Sequence, residues 1–450
     1  MSERETLFAW PDDWERINIG NLAARVGSGV TPTGGSDVYV DSGVIFIRSQ
    51  NVTNSGLSLR DVAFIDSSTH QSMSASEAYP FDVLLNITGA SIGRCCLLPN
   101  GLGAANVNQH VCIIRLPKPN LRDAQFLSAT LTSPIGQVQI WRLNAGANRE
   151  GLNYQQLRSF QVPWPDELTR WKIAEILSTL DETIEQTEAL IAKYQQIKAG
   201  LMQDLFTRGV TPDGSLRPNR AQAPHVYKNS PLGWIPKDWE VKTLGAILKE
   251  CGGYLQTGPF GSQLHAHEYL LDGIPVVMPQ DINAGSISTD QVARIGVGKA
   301  RELSRHRMKV GDVVIARRGD LSRAAAISTA CQGWVCGTGC FLLRLGGSTL
   351  QPEFAAAVYR HAVVQSQIAG LSVGTTMPSL NNHVMERLLF FFCDVKEQER
   401  ILRVLQTIDQ NIMITRHEVE KLTMEKLGLM DDLLTGRVRV RVTESEEVPA

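Results

Sequence analysis

The chain has 450 residues, room for about three domains at roughly 150 residues each. Its formal net charge of −2 gives no global attraction to a polyanion, so a nucleic-acid role needs local basic clusters. Charges occupy MSERETLFAWPDDW where a signal peptide needs an apolar run, no stretch has the length of a membrane span, and the eight cysteines lack framework spacing, so a reduced, cytoplasmic protein with no membrane partner is expected.

Taken in order, Pro11, Asp13, Trp14, Glu15 and Gly20 read as a turn whose tryptophan anchors a first strand. GVIFIRSQNV, residues 43–52, reads as a short buried strand ending in the polar Arg48, Gln50 and Asn51. Residues 81–94 read as a strand, a Gly-containing loop and Arg94; Asn108 and Gln109 precede a further strand at 111–116, and a helix surrounds 126–131. Asn153 and Asp166 suit helix N-caps. From Lys172 to Thr207 a heptad seam runs through Ile173, Leu177, Leu180, Ile184, Ile191, Tyr194, Leu201 and Leu205, interrupted by Thr187 and Lys198. A Pro- and Gly-rich connector comes next.

The pattern then repeats. Pro236, Asp238, Trp239, Glu240 and Gly245 recur at an offset of 225, and residues 273–282 recur at 230, with Gln280 matching Gln50. Residues 311–323, a strand at 341–345, a helix around 354–359, and the caps Asn381 and Asp394 continue the series. The second seam, Ile401, Leu405, Ile408, Ile412, Thr415, Val419, Leu422, Lys426, Leu429 and Leu433, matches the first at a constant 228, interruptions included, and Asp181 matches Asp409. Any two heptad helices share apolar positions; shared interruptions indicate duplication. RVRVRV, residues 437–442, alternates like an edge strand. The reading is an α+β (mixed α/β) chain with an internal repeat: globular unit 1–165, long helix 166–207, connector 208–233, globular unit 234–393, long helix 394–436, and strand and tail 437–450.

Catalytic signatures are scarce. GVGKA (296–300) lacks the spacing and hydroxyl of a phosphate-binding loop, and no Gly-rich cofactor turn accompanies an Asn/Asp-Pro-Pro-aromatic run. Cys331, Cys336 and Cys340 with His265 and His267 match no common zinc spacing, and buried apolar cysteines are the plainer reading, so no metal is assigned. The clearest local charge lies at 294–323, where nine Lys and Arg face three acids. Arg305, Arg307, Arg317, Arg318 and Arg323 of this run suit phosphates or guanine edges, or form a solvated face balanced elsewhere. In the first unit Arg48, Arg94 and Arg149 are scattered, while Gln50, Asn51, Asn108 and Gln109 either read adenine edges or close turns.

Two variable units, each followed by a long helix ending LMQDLFTRG (201–209) or LMDDLLTGR (429–437), with GTTMPSLN (374–381) and KEQERILRVLQTID (396–409), resemble the specificity subunit of type I restriction-modification enzymes. The first half departs from the pattern with ANREGLN and ELTRWKI. The resemblance implies a non-catalytic subunit whose two target-recognition domains read a split site on double-stranded DNA, with Thr375 and Thr376 joining the candidate DNA-binding residues. It also implies antiparallel pairing of the helices through their seams. Two methylation subunits using S-adenosylmethionine, and restriction subunits using ATP and Mg, would be the partners, leaving this chain without a cofactor. The interrupting threonines then fix helix register, or with the lysines face a methylation subunit. Ile173 to Leu205 spans about 48 Å of helix against roughly 34–36 Å for a turn of DNA, enough for a ruler between half-sites. The rival reading is a protein-interaction scaffold that binds no DNA.

Overall fold

The computed structural model describes residues 10–144, 151–283, 285–347, 350–371 and 380–441. The chain forms two compact units, Met1–Leu190 with Thr415–Ala450, and Ile191–Ile414. Each contains one globular domain, the half of its own long helix nearest that domain, and the distal half of the other.

In the first unit a four-stranded antiparallel sheet has the order Arg25–Ser28, Val111–Arg115, Val83–Asn86, Cys95–Leu97. Its central strands are buried on both faces, and this explains their unbroken apolar sequence. Val83, Leu85, Cys112 and Ile114 turn toward the helix Leu121–Thr132, where Ala124, Leu127 and Leu131 meet them. Leu84, Val111 and Ile113 turn the other way, onto Ile47, Ala105 and Val107 of a smaller sheet. That sheet has the order Ala63–Ile65, Val44–Ile47, Ala105–Val107, Glu77–Ala78, and its middle pair is parallel.

The second unit repeats this three-layer arrangement. Tyr254–Thr257, Cys340–Arg344, Asp312–Ala316 and Ala324–Ala326 form its main sheet, and Ile274–Val277 pairs in parallel with Val335–Cys336 in the smaller one. Even the buried ion pairs recur. Arg115 grips Asp82 through Nε and Nη2 at 2.7 Å each, and Arg344 grips Asp312 in the same two-pronged way. Gln139 exchanges two bonds with the backbone of Gln161, and Gln367 does so with Leu389, 228 residues on.

The long helices are Glu167–Arg208 and Val395–Leu434. Asp166 and Asp394 cap them, accepting the amides of Thr169 at 3.0 Å and of Lys396 at 2.9 Å. Burial opposes the charge of Asp166, but bonds from the Thr169 hydroxyl and amide outweigh it and hold the carboxyl below its usual range. Each helix stops at a glycine in the left-handed region, Gly209 (φ +68°) and Gly436 (φ +70°). In the first unit Ile173, Ala174 and Leu177 pack with Met430, Leu433 and Leu434, beside Trp10 and Trp14. In the second, Leu205 and Phe206 pack with Ile401, Leu402 and Leu405 around Trp239. The helix halves within each unit therefore run antiparallel, as the resemblance implies.

The seam residues Leu180, Ile184, Ile191, Leu201, Val419, Leu422 and Leu429 are half-buried, and Ile408 and Ile412 are buried. The interrupting lysines cross between helices: Lys426 pairs with Asp181 in the first unit and Lys198 with Asp409 in the second. Both partners of one pair lie 228 residues from their counterparts in the other. Thr187 turns its hydroxyl back to the carbonyl of Thr183 on its own helix at 2.6 Å, while the lysines make ion pairs between the helices.

The expected edge strand at 437–442 is a correction. Over 437–441 the chain forms bends and irregular backbone, and Val442 lies outside the described residues. Alternation alone does not make a strand without a partner edge. Arg439 is drawn instead onto Asp13, with bonds of 2.8 and 2.6 Å, and lies over the Trp14 ring. The connector does the equivalent in the second unit, where Arg217 reaches Asp238 at 2.6 Å and the buried Glu397. The connector ends in the hairpin Tyr227–Ser230 with Gly233–Pro236, whose second strand runs into the second globular unit.

Candidate DNA interface

In each unit the strands deliver polar residues to a cluster of loops. In the first, Asn86 at the end of its strand donates to the Ser49 carbonyl at 2.8 Å and the Ser91 hydroxyl at 3.1 Å. Asn108 N donates to Ile47 O at 3.0 Å, and Ile87 N to His110 O at 3.0 Å. Residues 48–51, 86–94 and 108–110 are thereby drawn together. Gln50, Arg94 and Gln109 are exposed there and able to meet a ligand. Asn51 is fully buried; it accepts from Arg48 N at 3.0 Å and donates to Ser58 O at 3.0 Å, so it closes a turn. Asn108 similarly accepts the His110 amide at 3.1 Å. Arg48 lies over the Tyr39 ring and donates to Asp61 O at 2.7 Å. Arg149 lies outside the described residues. Thr88 and His110 share a 2.6 Å bond at the same end of the sheet. The residues themselves gave no sign of that pair, since contact across 22 positions is set by strand pairing.

In the second unit the cationic run divides between opposite ends of one strand. Arg317, Arg318 and Arg323 follow the carboxyl end of Asp312–Ala316, with exposed Gln280 nearby. Arg323 is a clamp: it donates to the carbonyls of Gln280 at 3.1 Å and Ile282 at 3.2 Å and pairs with Asp320. The Ser322 hydroxyl, more than Arg323, holds the Asp320 carboxyl below its usual range. Arg318 is exposed. Phe260 also projects here and is 53% exposed. It escaped notice in the sequence because an isolated phenylalanine reads as core. Thr375 and Thr376 lie outside the described residues.

Arg305, Arg307 and Lys309 lie at the amino end of that strand, about 13 Å away by strand rise. With Tyr254, Gln256 and Arg344 they line a cleft of about 700 Å³ without a carboxylate in its lining. Arg307 is anchored by a 3.0 Å bond to Gly333 O. The equivalent stretch of the first unit has Ala75, Glu77 and Tyr79, so this basic cleft is a property of the second unit.

Cys331, Cys336 and Cys340 are buried in an apolar cluster while His265 and His267 are exposed, and no group of three metal-ligating side chains occurs among the described residues. No helix among those residues is long and apolar enough to cross a membrane.

A family model described as the type I restriction modification DNA specificity domain matches residues 11–196 and again 236–424. Two specificity subunits of Methanocaldococcus jannaschii are similar over nearly the whole chain. MjaVIII is 22% identical over 96% of this chain and 94% of its own length, and the putative MjaX subunit is 24% identical over 96% and 95%. The crystal structure of the S subunit from M. genitalium shares the fold at a TM-score of 0.55 and 16% identity, covering 96% of this chain and 98% of that one.

Proposed function

The chain belongs to the type I restriction-modification DNA specificity family, and from that premise we propose that its two globular domains each read one half of a bipartite DNA site. Sequence-specific DNA recognition within a restriction-modification complex is the function the family carries; the family is non-catalytic. The assignment of residues 1–165 and 234–393 as the two target-recognition domains is our reading. Its best support is the match of the family model to each half separately, together with the loop cluster that recurs in each unit.

Gln50, Arg94 and Gln109 are the candidate readers of the first domain. In the second, Gln280, Arg317 and Arg318 occupy the loop cluster. Arg305, Arg307 and Lys309, at the far end of the sheet, suit phosphates better than bases, because phosphate contacts position a protein without needing alignment with base edges. Arg48, Asn51, Asn108 and Arg323 support loops. The catalytic partners are taken to be two methylation subunits carrying S-adenosylmethionine, docked on the long helices, and restriction subunits working with ATP and Mg. The duplication of the long helix at an offset of 228 residues supports two such docking sites.

Sequencing modified bases in cells with and without this chain tests the reading. A bipartite motif that disappears with the chain is expected; an unchanged methylation pattern overturns it. The helices are proposed as the ruler, so inserting one helical turn into either should alter the number of unread base pairs and preserve both half-sites. Altered half-sites at constant spacing would exclude the ruler. A scaffold that binds no DNA would show no salt-dependent affinity for duplexes in the assembled complex.

A further inference from the structure

Arg317 and Phe260 are built for a contact that nothing among the described residues provides. The backbone of Arg317 is held on both sides, its amide donating to Gly339 O at 2.7 Å and its carbonyl accepting from Leu380 N at 3.1 Å. Its Nε is enclosed without an acceptor, and its guanidinium carbon lies 5.8 Å from the centre of the Phe260 ring. Among the described residues no carboxylate pairs with it. Burial, and then Arg318, accordingly lower its pKa from the usual arginine value.

The ring is equally fixed. A Cβ on Gly258 would come within 1.9 Å of Gly337 O, so only glycine allows the loop to lie this close to the sheet. Gly258 N donates to Cys340 O at 2.8 Å, Phe260 N to Gln263 Oε1 at 3.1 Å, and the Thr338 hydroxyl to Pro259 O at 3.0 Å. A large apolar ring is thus presented to solvent on a braced loop, against an arginine whose Nε is enclosed and whose outer Nη edge has no hydrogen-bond partner among the described residues. That edge matches the paired O6 and N7 acceptors of guanine, and an aromatic ring beside it suits the 5-methyl group of thymine in the major groove. The first unit has Ile87 where the second has Arg317: Ile87 N donates to His110 O as Arg317 N does to Gly339 O.

We propose that Arg317 and Phe260 form the base-reading couple of the second domain, with Arg317 binding a guanine and Phe260 contacting the methyl group of a thymine in a neighbouring base pair. The proposal rests on the DNA-reading role above. It makes the two domains differ at this position, where the first has Ile87 in place of Arg317.

The test uses the assembled complex and duplexes carrying the motif mapped by modified-base sequencing. Each guanine of the motif is replaced in turn by 7-deazaguanine, and each thymine by deoxyuridine. One 7-deazaguanine position should weaken binding of the unaltered complex roughly 10-fold, and one deoxyuridine at a neighbouring base pair by several-fold, both in the same half-site. Arg317→Met, similar in length but without a hydrogen-bond donor, should lose sensitivity to that 7-deazaguanine; Phe260→Ala should lose sensitivity to that deoxyuridine. Arg305→Ala, at a residue assigned to phosphates, should weaken all sequences alike and flatten the salt dependence. The couple is overturned if no such pair of positions exists for the unaltered complex, or if both variants keep the full analogue sensitivities. An unaltered complex that binds no duplex specifically would defeat the DNA-reading role itself.

Discussion

At the scale of single residues, burial separates readers from supports. Gln50 and Asn51 are neighbours of similar chemistry, yet one is exposed and the other is enclosed with its bonding capacity spent on the chain. Sequence could nominate both, because a turn-closing amide and a base-reading amide are the same group; only the direction taken by the backbone distinguishes them. The two-pronged pairs Arg115–Asp82 and Arg344–Asp312 are supports of the same kind. Both carboxylates are almost wholly enclosed, and hydrogen bonding to Asp312 raises the Arg344 guanidinium above its ordinary pKa. Asp82→Ala or Asp312→Ala should cost about 3–5 kcal/mol in denaturant unfolding, since each strands a guanidinium that is itself largely enclosed. Acid sensitivity should differ between the units. His306 and His361 are buried, and burial lowers the pKa of each. Their folded forms favour the neutral ring, so the unfolded chain takes up protons first as pH falls below about 6.5. Stability of the second unit should decline from there downward, by at most about 1.4 kcal/mol per pH unit for each histidine, until the lowered folded values are passed. Ser76 and Ser133 stand at the corresponding places in the first unit, which lacks this pair of buried histidines. Urea unfolding between pH 7 and 5, monitored by probes in each unit, measures the difference. His361→Phe should reduce it.

At the scale of elements, the long helices were the most legible part of the chain. Their seam is periodic over many turns, and its interruptions recur in the second copy. The work those interruptions do was not legible, because register depends on the facing helix. Lys198 with Asp409 and Lys426 with Asp181 show that both members of each pair were duplicated together. The aspartates are about half exposed, so a double-mutant cycle on either pair should give a coupling of only about 0.2–1 kcal/mol, reduced by salt. Swapping the charges within a pair should restore most of it, whereas a single Lys198→Asp should destabilise by like-charge repulsion. The 437–441 segment shows the opposite limit of pattern reading. Its alternation is regular, but the ion pair to Asp13 decides its path. Similarly, the basic run at 294–323 is continuous in sequence and split in space, since the intervening strand carries its two groups of arginines to opposite ends.

At the scale of the whole molecule, each globular domain is closed by the short segment beyond the other copy's long helix. Arg217 of the connector returns to Asp238, and Arg439 near the carboxyl end returns to Asp13. Removing the residues after Gly436 should therefore destabilise the first unit, seen as a lower unfolding midpoint for probes near Trp14, and leave the second unchanged. Arg439→Ala should reproduce part of the effect. An equal shift in both units would mean that the tail contributes through something other than the Asp13 and Trp14 contacts.

The two units differ in one respect that their similar folds conceal. The second is a single uninterrupted stretch, Ile191–Ile414, whereas the first needs Met1–Leu190 and also Thr415–Ala450. During synthesis from the amino end, the helix-end cluster of the first unit must wait, with Ile173, Leu177 and Trp14 lacking the partners Met430, Leu433 and Leu434, while the second unit acquires all its residues. The order of emergence from the ribosome and the order of completion are thus reversed. Nascent chains arrested once residue 414 has cleared the exit tunnel should have a protease-resistant second unit and a first long helix that is still cleaved around Ile173 and Leu177.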